Sequence, residues 1–240
     1  MSQFVTYQDW DEVEVRQLEK KFTDTLDVLK WTYANYSEDQ VVYACSFGAE
    51  AIVLLDHIAK VHSRARVIFL DTSLHFQETY DTIDKIKKQY PSLQIHQQKP
   101  ALSLEEQGEI YGEKLWKRDP DLCCHIRKVV PLEKALQPVT AWISGLRREQ
   151  SEERRGLNYL NKDERFKKVK ICPLIHWTWE EIWQYISLHQ LVYNPLHDQG
   201  YPSIGCEVCT LPAKDPKDLR SGRWANFTKR ECGLHTFRKA

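Results

Sequence analysis

The sequence predicts an α/β fold: a mainly parallel sheet flanked by helices, closed by an irregular C-terminal tail. Three observations carry this. Short apolar runs alternate with longer helix-patterned stretches from residue 41 to residue 189. A tight turn, Ser46-Phe47-Gly48, joins the first apolar run to the helix that follows. After Tyr193 the periodicity gives way to proline, glycine and charge. At 240 residues the chain is long enough for one full domain of this kind. With no internal repeat, low-complexity tract or linker, residues 1–240 read as a single domain, and 194–240 as its functional C-terminal segment.

The first forty residues read as helical, with Val15, Leu18, Phe22, Leu26 and Leu29 on one face. Residues 41–45 form a continuous apolar run, expected as a buried strand, followed by a helix over 51–61. A strand over 66–70, a helix over 76–89 and a strand over 93–98 come next. Ser103 followed by Glu106 is a capping box that opens another helix. Residues 141–144 predict a fourth strand and 168–172 a fifth. Thr178 with Glu181 is a second capping box, starting a helix through His189. In such a fold ligands bind at the C-terminal ends of the strands.

Composition narrows the function. Formal net charge is zero, which argues against a general nucleic-acid-binding protein. From residue 211 onward, however, eight basic residues face three acidic ones, so the tail is positive and suits a small anionic substrate. Hydrophobic content is 42% with no long apolar run, which predicts no membrane span, and the N-terminus has no secretory pattern. Seven cysteines, an odd number, without an export signal point to the reducing cytoplasm, where clustered cysteines more often hold metal than form disulfides.

The cysteines sort into groups. Cys45 and Cys172 sit in apolar runs and read as inert core residues. Cys123-Cys124 and Cys206-Glu207-Val208-Cys209 offer four thiolates from two distant segments, a donor set for zinc or an iron–sulfur cluster. Adjacent ligands are awkward on one tetrahedral ion, whereas a four-iron cluster spreads its attachment points, so the spacing leans toward the cluster. Cys232 stands alone in a basic setting, Thr228-Lys229-Arg230-Glu231-Cys232-Gly233-Leu234-His235, which lowers a thiol pKa and favours nucleophilic chemistry. Upstream, Arg220-Ser221-Gly222-Arg223-Trp224 supplies arginine forks suited to phosphate or sulfate oxygens. The Ser46-Phe47-Gly48-Ala49-Glu50 loop can bring backbone N–H groups to an anion at a helix N-terminus, and it lacks the Gly-Lys-Ser/Thr ending of a Walker loop.

That loop resembles the one in the adenine nucleotide α-hydrolase-like fold, without the Lys-Asp-Ser of its ATP-cleaving members. Together with Cys123-Cys124-His125-Ile126-Arg127-Lys128, Gly205-Cys206-Glu207-Val208-Cys209-Thr210, Arg220-Ser221-Gly222-Arg223-Trp224 and Glu231-Cys232-Gly233-Leu234-His235, the chain resembles the assimilatory sulfonucleotide reductases. These act on adenylyl sulfate (APS) or phosphoadenylyl sulfate (PAPS). The resemblance runs from about residue 41 to His235 and includes Asp71-Thr72-Ser73-Leu74-His75-Phe76 and Ser144-Gly145-Leu146-Arg147-Arg148. Ala51 stands where relatives often have aspartate, and Ser73 where glycine is common.

The resemblance implies thioredoxin-dependent reduction of APS, with PAPS as alternative substrate, to sulfite and the nucleotide through an S-sulfonate on Cys232. It implies a [4Fe–4S] cluster on Cys123, Cys124, Cys206 and Cys209. Lys128, Arg220, Arg223 and His235 would hold the phosphosulfate, with Ser46, Gly48, Gly145 and Arg148 nearer the nucleotide. Four cluster cysteines point to the APS branch. Two other classes stay open: an ATP-dependent adenylylating or thiolating enzyme of the same fold, and a zinc-stabilised nucleic-acid-binding protein, which has no need of Cys232. A homo-oligomer also stays open.

Overall fold

A computed structural model describes residues 4–215, 218–225, 227, 229, 231, 233 and 234. Six strands form one sheet: β1 (Val41–Ala44), β2 (Arg66–Leu70), β3 (Gln94–Gln98), β4 (Ala141–Ser144), β5 (Leu160–Asp163) and β6 (Lys168–Ile171). Their order is β3-β2-β1-β4-β6-β5, parallel throughout except for the β5–β6 pair. The chain therefore builds outward from β1 on one side, then returns to place β4 on its other side. That reversal opens a crevice between the C-terminal ends of β1 and β4, where open α/β sheets take their ligands.

Both faces of the centre are covered. Val41 and Tyr43 of β1 pack in the larger core with Ile52 and Leu55 of α3 (Ala49–Val61). Val42, between them, faces the second core beside Trp142. This two-residue alternation under a continuous apolar run marks a strand buried on both sides. The second core is completed by Val129, Leu132 and Leu136.

The N-terminal region is two helices, not one. Asp11 caps α1 (Glu12–Glu19) and Asp24 caps α2 (Thr25–Asn35), each side chain accepting from the backbone N–H three residues on. The second cap starts a new helix and leaves Phe22 in the link. Past α4 (Gln77–Gln89), the Ser103 box opens α5 (Leu104–Tyr111) with both reciprocal hydrogen bonds in place. A compact run follows: α6 (Leu115–Arg118), α7 (Pro120–Cys124), a π-helical turn over His125–Val129, and α8 (Val130–Leu136). The Thr178 box opens α9 (Trp179–Leu188). The run expected as a fifth strand is the sixth, because β5 precedes it as an antiparallel edge. Beyond Tyr193 there are only 3-10 turns, Pro195–Gln199 and Glu207–Cys209, and two isolated bridges among the described residues. No helix among them is long and apolar enough to cross a membrane.

Candidate functional site

The crevice at the end of β1 and β4 is a cavity of about 380 Å³. Ser46 and Gly48 enter it from the turn after β1, and Gly145 from the turn after β4. Phe47 takes a left-handed conformation, φ 56°, with its ring buried edge-on against Phe69 at 5.6 Å. The ring anchors the turn while its neighbours face the cavity. Gly48 caps α3, so that helix's N-terminal N–H groups open toward the crevice, a placement that favours an anion.

The loop after β2 joins this cavity to the C-terminal segment. Asp71 accepts from Ser73 N at 2.9 Å and from the Tyr80 hydroxyl at 2.8 Å. Ser73 has φ 57°, a left-handed conformation that explains why glycine is the easier residue at this position. Downstream, Glu207 N donates to Leu74 O at 2.8 Å, and a bridge pairs His75 with Cys206. The Thr72 hydroxyl lies 3.2 Å from Cys206 Sγ. The backbone of this loop thus carries the Cys206 to Cys209 segment.

Cys123 and Cys124 end α7, both buried. The π turn directly after them widens the helix by one residue and turns Arg127 and Lys128 inward, where they are buried. Arg127 Nε donates to Thr72 O at 2.7 Å, tying this turn to the β2 loop. Burial pushes the Cys123 thiol up to about 12, with Cys124, Cys206 and Cys209 adding to the rise. Burial likewise pushes Cys209 up to about 11, helped by Cys206 and Cys124. The two segments therefore converge: the thiols of each act on Cys123 and Cys209, and those two resist ionisation unless positive charge is supplied.

Among the described residues, no three His, Cys, Asp or Glu side chains are placed to hold a single metal ion. The surroundings nevertheless fit a polynuclear group with acceptor atoms of its own. Trp224 Nε1 and Arg223 Nε are buried without hydrogen-bond partners, and Trp224 N donates to Cys209 O at 3.0 Å. Orphaned donors beside an all-sulfur donor set match the sulfide acceptors of an iron–sulfur cluster.

Five cations line the cavity: Lys128, Arg147, Arg154, Arg220 and Arg223. Arg147 is fully buried and pairs with Glu50 at 3.0 Å and Glu149 at 2.9 Å. Arg220 and Arg223 both reach Ser203, at 3.4 and 3.1 Å. Burial, then the charge of Lys128, pushes His75 down to about 4, so a neutral imidazole lines the same cavity at neutral pH. Cys45 also lines it, but burial pushes its thiol up to about 12 and keeps it protonated. Cys172 is fully buried, also at about 12.

Of the residues singled out from sequence, Ser46, Gly48, Lys128, Gly145, Arg220 and Arg223 meet in the cavity. Arg148 does not line it. Its guanidinium donates to Leu157 O at 2.8 Å and Asn158 Oδ1 at 2.7 Å on the other side of the turn. Cys232 and His235 lie outside the described residues. Sequence reading missed Arg147, Arg154, His75 and Glu231. The Arg147-Arg148 tandem carries the signal for the first, but which arginine faces inward depends on a one-residue phase after β4.

A family model described as phosphoadenosine phosphosulfate reductase domain matches residues 40–212. Adenosine 5'-phosphosulfate reductase of Bacillus pumilus is 60% identical over 232 residues, 96% of this chain and 99% of that protein. Adenosine 5'-phosphosulfate reductase 2 of Bacillus subtilis is 57% identical over 235 residues, 98% of this chain and 99% of that one. Among solved structures, phosphoadenylyl-sulfate (PAPS) reductase from Candida auris superposes with a TM-score of 0.73 at 30% identity, covering 84% of this chain and 98% of its own. Candida glabrata FMN adenylyltransferase, at TM-score 0.57 and 16% identity over 87% of this chain and 71% of that one, shares the fold alone.

Proposed function

The chain belongs to the phosphoadenosine phosphosulfate reductase family, and from that premise we propose that it reduces APS to sulfite and AMP in assimilatory sulfate reduction. The observation that carries this is a cation-lined cavity at the sheet's switch point, directly beside the convergence of four thiols. The near-full-length Bacillus relatives, each named as an APS reductase, favour APS. The more distant Candida auris relative keeps PAPS as the alternative substrate.

In the proposed reaction the Cys232 thiolate attacks the sulfur of the phosphosulfate. The bond from sulfur to the bridging oxygen breaks, its electron pair leaves with AMP, and Cys232 carries the sulfonate. A thiolate of thioredoxin then attacks Cys232 Sγ, releasing sulfite and forming a mixed disulfide. Thioredoxin's second thiol resolves it, so one dithiol supplies the two electrons. Lys128, Arg220, Arg223 and His235 hold the anion and take up charge as AMP departs. Ser46, Gly48 and Gly145 face the nucleotide. Arg148, spent on Leu157 and Asn158, is given no contact, and Arg147 acts by ordering Glu50 instead.

Cys123, Cys124, Cys206 and Cys209 would hold a [4Fe–4S] cluster. Such a cluster, when bound, ties α7 to the segment after Gly205 and adds a charge that Lys128 feels. The test is to supply purified protein with APS, thioredoxin and a thioredoxin-reducing system. Sulfite and AMP in equal amounts are expected. Absence of both with APS overturns the proposal; sulfite with adenosine 3',5'-bisphosphate from PAPS alone would move the assignment to PAPS.

A further inference from the structure

A buried ion pair joins the cavity to the C-terminal segment, and the reaction above does not use it. Arg154 Nη2 lies 2.9 Å from both carboxylate oxygens of Glu231. The two side chains are 4% and 9% exposed. The Ser151 hydroxyl donates to Glu231 at 3.3 Å, and Arg220 Nη2 approaches at 3.4 Å. Arg154 Nε is buried and has no hydrogen-bond partner, so the guanidinium keeps a donor in reserve. Burying a carboxylate this deeply is tolerable only where cations compensate it, which makes the position demanding of charge.

Described residues on either side are also held to the body. Lys229 Nζ donates to Pro120 O at 3.3 Å and pairs with Asp121 at the start of α7. Gly233 O accepts from Arg165. Leu234 packs against the core of Val42, Ile68 and Trp142. Of these contacts, the one at Glu231 is made to arginines that line the anion cavity.

We propose that Glu231 is a positioning residue: its carboxylate, gripped by Arg154 and Arg220, docks the C-terminal segment at the cavity and sets the reach of the thiol that follows it. This rests on the reductase reading, in which that thiol, Cys232, is the nucleophile. Arg220 is then shared between the segment and the substrate anion, which couples docking to occupancy of the cavity. Glu231 lines the cavity, but its carboxylate is already taken by Arg154 and Arg220, so its proposed role is to place its neighbour.

The experiment compares Glu231→Gln, which keeps shape and removes charge, with Glu231→Asp, which keeps charge. In single turnover at saturating APS, sulfonate formation on Cys232 should slow by about 30-fold in Glu231→Gln, the scale of a misplaced reacting group. AMP affinity by calorimetry should stay within about threefold, and Glu231→Asp should recover most of the rate. A purely structural role would move affinity and melting temperature instead. Adding Arg154→Gln to Glu231→Gln should cost less than Arg154→Gln does alone, because the pair is already broken. A Glu231→Gln rate within about threefold of wild type overturns the proposal. Amide hydrogen exchange over residues 227–234 supplies a readout independent of chemistry: it should rise at least about tenfold in Glu231→Gln, and unchanged exchange also overturns the docking role. Wild-type protein that forms no adduct, yet shows this exchange difference, contradicts the reductase reading and leaves the docking role standing.

Discussion

Replacing Arg147 by Met tests whether the buried ion pair at the mouth of β4 holds the start of α3. The guanidinium is 1% exposed, stacks over Trp179 at 5.4 Å, and gives Glu50 two hydrogen bonds at 3.0 and 3.1 Å. Methionine keeps length and the apolar contact but leaves Glu50, 15% exposed, with Gln150 Nε2 at 2.8 Å as its remaining described donor. Breaking a buried pair costs about 3–5 kcal/mol, and the partial exposure of Glu50 argues for the lower end, about 3 kcal/mol. For a chain of this size that corresponds to a fall in Tm of roughly 6–12 °C. Adding Glu50→Gln should return part of the loss, since the stranded charge is then gone. Thermal denaturation of the single and double variants reads both effects. An Arg147→Met protein melting within about 2 °C of wild type would show that the pair contributes little to stability.

Three further outcomes are expected. Serine at any one of Cys123, Cys124, Cys206 or Cys209 should abolish iron and sulfide content along with most activity, because a hydroxyl is a poor ligand for such a cluster; elemental analysis of wild-type protein showing zinc without iron would contradict this. Gly222→Ala should destabilise the arginine segment severely, since an added Cβ would lie 1.9 Å from Leu211 O, a backbone atom that cannot give way; a variant with wild-type activity and stability would count against it. APS should be turned over with higher kcat/KM than PAPS, because an extra phosphate needs a cation of its own; side-by-side kinetics favouring PAPS would reverse the assignment.

Much of this molecule is legible in its sequence, for identifiable reasons. β2 and β4 fall on their expected residues because a strand buried on both faces leaves an uninterrupted apolar run bounded by polar turns. The Ser103 and Thr178 caps form as expected because the capping box is a local, reciprocal arrangement. The two cysteine pairs and the arginine motif are likewise local signals: Arg220 and Arg223 line the cavity, and the two cysteine segments converge next to it. What escapes is set by tertiary context. β5, Leu160-Asn161-Lys162-Asp163, is short and polar, and pairs only because β6 offers it an edge. The π turn after Cys124 has no compositional mark, yet it turns Arg127 and Lys128 inward beside the thiols. Arg154 and Glu231 are 77 residues apart, and nothing local announces their pairing.

The proposed chemistry is tested most directly by the mass of the protein after one turnover without reductant. Wild-type protein given APS alone should gain about 80 Da, the mass of SO₃, on Cys232, removable by a dithiol with release of sulfite. Cys232→Ser should bind AMP and show no gain, because a serine hydroxyl is a far weaker nucleophile. No adduct on wild-type protein, or an adduct carried by Cys45 or Cys172, contradicts Cys232 as the nucleophile.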